Sequence, residues 1–310
     1  MEAVFMRAVV FEEFGGPEVL KVQERPEPHA GAGQVRIKVQ AAGVNAFDFK
    51  VRRGWTRGFA DPVFPAIPGF EVAGVVDEAG DGAEFAVGDE VAGWSEGGAY
   101  AEFALGGILA RKPAGVSWEQ AVSIPVAGET AQRVLGLLGV KSGETILIHG
   151  AAGAVGSVAV QLAVAAGVTV IGTASGANHE YLRSIGAVPV EYGEGLVDRV
   201  RAAAPQGVDA VVDTAGKGGL PESIELRGGT DRIVTIADYA AAGELGIETS
   251  GGGGSPEQVR AGLDAQLRAA ADGKLTTRIA ETFTLADAGK AQTLSESGHA
   301  RGKIIILPQA

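Results

Sequence analysis

Cysteine is absent from the sequence, and histidine is scarce. With no cysteine in 310 residues, disulfides, thiolate nucleophiles, iron–sulfur clusters and cysteine-ligated zinc sites are excluded. The four histidines, His29, His149, His179 and His299, are scattered and include no pair at metal-ligand spacing. We therefore expect no metal site.

Basic residues are also in short supply. Lys and Arg number 26 against 38 Asp and Glu, so the formal net charge is −12. This balance argues against general binding to nucleic acid or to anionic membranes. It does not exclude a local anion site built from backbone amides.

Long uninterrupted apolar runs are missing. The start of the sequence has no signal-peptide pattern. No charged residue lies between Glu144 and Glu180. Glycines divide this stretch into apolar pieces of about 10 residues, however, and a membrane-spanning helix needs ~20. The sequence thus predicts a cytoplasmic protein without a membrane segment.

Glycine, by contrast, is abundant. It accounts for 48 of the 310 residues, about twice its ~7% average, which indicates many tight turns or close backbone approaches. Apolar residues at 46% and charged residues at 21% are ordinary for a globular protein. The length predicts about two domains.

The N-terminal part of the chain has the patterns of β-strands. Residues 35–44 alternate apolar and polar side chains, the period of a half-buried strand. Residues 70–80, 89–94 and 99–105 indicate further short strands. We predict an irregular antiparallel barrel or sandwich over residues 1–122.

After Pro113 the pattern changes to alternating strands and helices, which is typical of a doubly wound parallel sheet in an α/β protein. We place this second domain at residues 123–256. Residues 257–310 are predicted to return to the first domain, with a C-terminal strand over 303–308. The strands expected for the parallel sheet are 145–149, 168–173, 188–192, 209–215 and 231–237, and the helices are 117–124, 129–140, 154–166, 179–185, 195–203 and 219–226, followed in the tail by 255–273 and 285–297.

A glycine-rich turn joins the first two strands of that sheet. Ala151, Gly153 and Gly156 fall at the three positions of a GxGxxG fingerprint, with alanine at the first. This spacing between a strand and a helix lets a pyrophosphate approach the backbone at a helix N-terminus. The sequence predicts dinucleotide binding by Ala152, Gly153, Ala154, Val155 and Gly156. The alternative is a packing turn without a ligand.

The end of the second parallel strand indicates which dinucleotide is bound. An NAD site presents Asp or Glu there to the ribose hydroxyl, but this chain has Ser175, with Asn178 close behind. These side chains can accommodate a 2′-phosphate, which a carboxylate at this position would repel. We therefore predict NADP(H), with Arg183 and Tyr192 as further contacts. Arg183 is equally well explained as a solvated helix charge.

A set of motifs in fixed order resembles the medium-chain dehydrogenase/reductase superfamily, in its zinc-free quinone oxidoreductase branch. The resemblance covers nearly the whole chain. It implies a GroES-like catalytic domain with an inserted Rossmann domain. The motifs are AAGVNAFDFKVRRG (41–54), PAIPGFEVAGVVDEAG (65–80), VGDEVAGW (87–94), GGAYAEF (97–103), AGETA (127–131), HGAAGAVGSVAVQLA (149–163) and ARGKIIIL (300–307).

The zinc-dependent branch of this superfamily has a histidine in its GHE motif, where this chain reads Gly69-Phe70-Glu71. Phenylalanine cannot ligate a metal, and the cysteines of that branch are missing. The resemblance therefore implies hydride transfer without a Lewis acid.

The resemblance also implies catalytic residues. Asn45 and Asp48 match residues that line the nicotinamide cleft in the family, and Lys50 matches a lysine thought to stabilise or protonate the enolate in enone-reducing relatives. Each has a simpler alternative: a turn hydrogen bond for Asn45, a helix cap or ion pair for Asp48, and a solvated charge for Lys50.

Other positions are assigned to the cofactor by the same resemblance. Thr130 is expected beside the nicotinamide, or it is simply a residue in the first turn of a helix. The backbone of Ile236 and Ala237 is expected at the nicotinamide carboxamide. Asp213, Thr214 and Ala215, at the end of the fourth parallel strand, are expected beside the cofactor. Arg301 and Lys303 are expected near cofactor phosphate, and the alternative for both is a surface charge near the C-terminus. A homodimer is expected through edge strands of the Rossmann sheet, around 231–237 and 246–250.

Together these features predict an NADPH-dependent reductase of quinones or α,β-unsaturated carbonyls. Two alternatives remain open. One is a biosynthetic enoyl or ketone reductase of the same family, and the other is an NADPH-binding regulatory protein with little turnover.

Overall fold

The computed structural model describes residues 4–310, which divide into two compact units. Unit 1 contains the described residues up to Val126 together with Pro256–Ala310, and unit 2 contains Ala127–Ser255. The strands are β1 (Phe5–Val10), β2 (Lys21–Pro26), β3 (Val35–Val44), β4 (Glu71–Ala79), β5 (Glu90–Glu96), β6 (Phe103–Arg111), β7 (Thr145–His149), β8 (Thr169–Thr173), β9 (Val188–Val190), β10 (Ala210–Asp213), β11 (Ile233–Thr235), β12 (Glu248–Thr249), β13 (Ile279–Phe283) and β14 (Lys303–Ile306). The α-helices are α1 (Ala46–Arg52), α2 (Trp118–Val122), α3 (Pro125–Leu138), α4 (Ala154–Ala165), α5 (His179–Ser184), α6 (Leu196–Ala203), α7 (Leu220–Arg227), α8 (Tyr239–Leu245), α9 (Pro256–Ala271) and α10 (Ala288–Ser297).

Unit 1 is built on a six-stranded sheet in the order β13-β14-β3-β4-β5-β6, with a second pairing between β3 and β6 that curls the sheet towards a barrel. The long strand β3 is central because its alternating side chains bury one face, with Ile37 and Val39 fully inside. The C-terminal strand β14 runs antiparallel to β3. Unit 1 is therefore completed by the last residues described.

Unit 2 is a parallel sheet in the order β12-β11-β10-β7-β8-β9. Its central strands are continuous apolar runs because helices cover both faces, and Leu147, Ile171 and Val211 are fully buried. In a parallel sheet all strands end at the same edge. The predicted fold class, a GroES-like domain with a Rossmann-type parallel sheet, is confirmed.

Several predicted elements differ from the observed ones. The strand expected at 99–105 begins later and runs over β6, through Gly106 and Gly107. Short strands β1, β2 and β13 and short helices α1 and α8 have no predicted counterpart.

Of the two segments expected at the edge of the parallel sheet, only the second lies at an edge. Strand β12 lies at the edge of the sheet, but β11 pairs with β10 on one side and β12 on the other. Its backbone groups are therefore already used, and residues 231–237 cannot add a strand from a partner. Pairing through β12 stays a prediction.

No helix among residues 4–310 is long and apolar enough to span a membrane.

Candidate functional site

The glycine loop, defined as residues 150–153, connects the end of β7 to the start of α4 in unit 2. Gly150 has a positive φ of 70°, and a β-carbon there would meet the side chain of Thr214. Ala151 N donates to Thr173 O at 3.1 Å, and Gly153 N donates to Gly150 O at 2.9 Å. The first bond holds the loop against the neighbouring strand β8, and the second closes a turn within the loop.

The N-terminus of α4 has the shape of a phosphate cradle. Gly153 is the N-cap residue and offers no side chain to the first-turn amides, whose N–H groups have no acceptor within the helix. A β-carbon at Gly156 would overlap the carbonyl oxygen of Gly150, so only glycine lets α4 pack this closely on the loop. The first turn and its dipole fit a pyrophosphate.

Asp213, which the family resemblance places beside the cofactor, organises the neighbouring strand ends. It is buried at the end of β10, where Oδ1 accepts from the backbone amides of Ala215 and Gly216 at 2.9 and 3.0 Å. Oδ2 accepts from Thr235 Oγ1 at 2.7 Å, and that hydroxyl accepts from Ala237 N at 3.1 Å. One carboxylate thus fixes two loops beside the cradle.

The predicted 2′-phosphate residues lie after β8 and β9. Asn178 Nδ2 donates to Ser175 Oγ at 3.2 Å, which brings the two polar side chains together. Arg183 is exposed on α5, and Tyr192 is 59% exposed after β9. Whether any of them contacts a cofactor stays a prediction.

In unit 1, polar side chains from separate parts of the chain meet near the end of β3. We call them the buried polar cluster, defined as Asn45, Asp48, Glu71, Tyr100 and Lys303. Asp48 Oδ2 accepts from Asn45 N at 2.9 Å and from the Tyr100 hydroxyl at 2.7 Å. Burial raises the pKa of Asp48 to about 7, although both hydrogen bonds oppose the shift. The Asp48 carboxylate thus closes a capping box at the N-terminus of α1 by accepting from the backbone of the N-cap residue Asn45. The Asp48 side chain is almost fully buried.

The other half of the cluster is an ion pair. Lys303 Nζ is paired with Glu71 Oε2 and donates to Asn45 Oδ1 at 2.8 Å. Lys303 is 2% exposed and Glu71 is fully buried. The ammonium that was expected near cofactor phosphate is thus engaged inside unit 1, because strand β14 carries its side chain inward. Glu71 and Tyr100 were not predicted, although an acid opening an apolar strand was a signal for Glu71.

Lys50 lies on α1 and is half-buried. No carboxylate among residues 4–310 forms an ion pair with its ammonium. Burial lowers the pKa of Lys50 below its ordinary value. A partly desolvated, unpaired ammonium is suited to donating a proton.

The remaining predicted residues are divided between the units. In unit 2, Thr130 is buried on α3 with its hydroxyl 3.4 Å from Glu129 Oε2, and Ile236 N donates to Asp213 O at 3.0 Å. In unit 1, Arg301 is exposed just before β14. Their contacts with a cofactor stay predictions.

Two family profiles match the chain. The alcohol dehydrogenase GroES-like domain covers residues 31–126, and the zinc-binding dehydrogenase family covers residues 186–306. The chloroplastic quinone-oxidoreductase QR1 of Triphysaria versicolor is 31% identical over 99% of this chain and 100% of its own length. The chain belongs to the medium-chain dehydrogenase/reductase superfamily.

Two further members of the superfamily extend this result. The rat synaptic vesicle membrane protein VAT-1 homolog is 34% identical over 74% of this chain, which spans 59% of that protein. A mycobacterial protein solved in complex with NADPH superposes with a TM-score of 0.85 at 29% identity, over 98% of this chain and 100% of that one. Membership and this neighbour support a nicotinamide dinucleotide as the class of cofactor.

Because one matching family is described as zinc-binding, we looked for side chains that could ligate a metal ion. Within residues 4–310, no three His, Cys, Asp or Glu side chains lie close enough together to hold a metal ion. Phe70 stands where the zinc-dependent branch has its histidine, and its ring packs edge-on against Phe47 at 5.6 Å between centroids.

Proposed function

We propose that this protein is an NADPH-dependent oxidoreductase that reduces quinones or α,β-unsaturated carbonyls without a metal. The observation that carries the proposal is Lys50 on α1, a half-buried ammonium with no carboxylate partner among the described residues. A donor of this kind is what reduction of a conjugated carbonyl requires when no metal takes up the charge.

The glycine loop and the first turn of α4 bind the pyrophosphate through backbone N–H groups. Asp213 keeps the loops after β10 and β11 in place for the nicotinamide end. Ser175 and Asn178 donate hydrogen bonds to the 2′-phosphate, which makes NADPH the preferred cofactor. When bound, NADPH supplies a hydride.

The polar groups of unit 1 act on the acceptor. Negative charge develops on its carbonyl oxygen as the hydride arrives, and the Asn45 amide and the Lys50 ammonium stabilise that charge. Lys50 then donates a proton to the enolate, and solvent restores the proton. Asp48 is a positioning residue, because its contacts are to the backbone of Asn45 and to Tyr100.

Stopped-flow measurement of cofactor oxidation tests the proposal. We expect rapid oxidation of NADPH with 1,4-benzoquinone and with an enone, and little with a saturated ketone. Tight NADPH binding without turnover by any acceptor would instead support a regulatory role. Turnover confined to carrier-bound enoyl substrates would indicate a biosynthetic reductase.

Substitution Ser175→Asp tests the cofactor preference. The carboxylate would accept from the ribose hydroxyls of NADH and repel the 2′-phosphate of NADPH, so the ratio of kcat/KM for NADPH to that for NADH is expected to fall by about 100-fold. The matched variant Ser175→Asn should shift this ratio much less because it adds no charge. An unchanged ratio in Ser175→Asp would remove Ser175 from the cofactor site.

A further inference from the structure

We infer that the buried Glu71–Lys303 ion pair is a positioning device that fixes the Asn45 side chain as a hydrogen-bond donor towards the acceptor oxygen. The inference rests on the proposed function, because it assigns a purpose to Asn45 in that reaction.

The pair determines which end of the Asn45 amide carries the available hydrogen. An ammonium can only donate and a carboxylate can only accept. Lys303 Nζ donates to Asn45 Oδ1 at 2.8 Å, and Asn45 Nδ2 donates to Glu71 Oε2 at 3.0 Å. Rotating the amide by half a turn would place its NH₂ group against the Lys303 ammonium and its oxygen against the Glu71 carboxylate, and neither contact is a hydrogen bond. Lys303 holds the amide oxygen and Glu71 takes one of the two N–H groups, so the second N–H of Asn45 remains to donate to an external acceptor.

The pair itself is rigidly held. Glu71 Oε1 accepts from Val126 N at 2.8 Å, so neither carboxylate oxygen is free to turn. A β-carbon at Gly43 would overlap Glu71 Oε2 and lie 2.9 Å from Lys303 Cε. Gly43 does not have a positive φ, so glycine is needed here for space alone.

Burial of these charges is not explained by stability. Glu71 and Lys303 are 0% and 2% exposed, and replacing such a pair with apolar residues is often neutral or stabilising. The arrangement also needs three neighbouring strands, since Gly43 pairs with Glu71 and Val44 with Ile304. Orientation of Asn45 accounts for both features.

The test compares Glu71→Gln, Lys303→Met and the double variant, each alone and combined with Asn45→Ala, in the full chain. Each single variant leaves one buried charge unpaired, so its Tm should fall. The double variant has neither charge, so its Tm should return most of the way to that of the unsubstituted protein. We expect kcat in the double variant to stay down by about tenfold or more. The acceptor KM and the Kd for NADPH should change by less than about twofold. In the Asn45→Ala background, removing the pair should lower kcat no further.

Asp77→Asn is the matched control, because it breaks the Arg36–Asp77 pair between the same strands, β3 and β4. It should lower Tm and leave kcat unchanged. The inference is overturned if the double variant keeps the kcat of the unsubstituted protein, or if its loss of kcat is undiminished without Asn45. A raised Kd for NADPH would instead restore Lys303 to the cofactor phosphate.

A second measurement does not depend on turnover. Side-chain amide hydrogen exchange of Asn45, assigned by the NMR signal lost in Asn45→Ala, should be slow in the unsubstituted protein and fast in the double variant. Equal exchange in both would refute the positioning role. If the Asn45 amide exchanges slowly in the unsubstituted protein and fast in the double variant, but no acceptor is reduced, the proposed function fails. The role of the ion pair in orienting the Asn45 side chain then still holds.

Discussion

Replacing Gly153 with aspartate is expected to weaken NADPH binding strongly and to leave the protein folded. Gly153 has φ −77° and ψ 175°, a conformation open to any residue. A β-carbon there would lie 3.2 Å from Gly150 O, which requires only a small adjustment. Aspartate is a preferred N-cap residue, so α4 should lose no stability. Its carboxylate would occupy the phosphate position at the positive end of the helix and repel the cofactor.

Calorimetry should therefore show a Kd for NADPH raised by about 100-fold or more, while Tm is unchanged or higher. The control is Gly153→Asn, which has the same size and capping ability but no charge, and should weaken binding much less. Equal affinities in the two variants would mean that the phosphates do not bind at the start of α4.

Replacing Lys50 with methionine is expected to lower kcat for enone reduction by about 100-fold, the usual contribution of a general acid. Methionine retains much of the apolar side chain, so the fold and the Kd for NADPH should be preserved. Lys38→Met is the control, because Lys38 is an exposed lysine on β3 of the same unit. Full activity in Lys50→Met would exclude Lys50 from the mechanism.

The dependence of kcat on pH distinguishes a Lys50 that donates a proton from a Lys50 that only supplies positive charge. The ammonium form is the acid, so kcat should fall as pH rises through the pKa of Lys50. Because burial lowers that pKa, the fall should occur below the pH at which an exposed lysine titrates. Lys50→Arg keeps the charge but cannot release its proton in this range, so the variant should be slow and lack this limb. An unaltered profile in Lys50→Arg would assign the limb to another group.

Elements with strong local patterns were predicted closely. Strands β3 and β7 coincide with their predicted ranges, and α4 differs only at its last residue. Alternation in β3 and the strand–glycine–helix order around α4 are carried by contiguous residues, so neighbouring side chains suffice to specify them. The class of cofactor followed from the same stretch.

Short elements were missed where distant contacts stabilise them. Helix α1 has seven residues, too few to be stable alone. Its buried Arg52 bonds to Gln292 at 2.7 Å and to Glu296 at 3.0 Å, both far along the chain. Strand β6 ran beyond its predicted end because pairing with β5 and β3 outweighs the low strand preference of Gly106 and Gly107.

By itself the sequence determined the two-part α/β class, the superfamily and the glycine loop, because these depend on periodicity and on residues adjacent in the chain. Only the tertiary structure decided the partners of the ionisable groups. Asn45 is 26 residues from Glu71 and 258 from Lys303, and no local pattern links them. Charge, burial and hydrogen bonding act through space, so the hydrogen-bond partners of Asp48 and Lys303 became visible only once the strands had brought distant residues together.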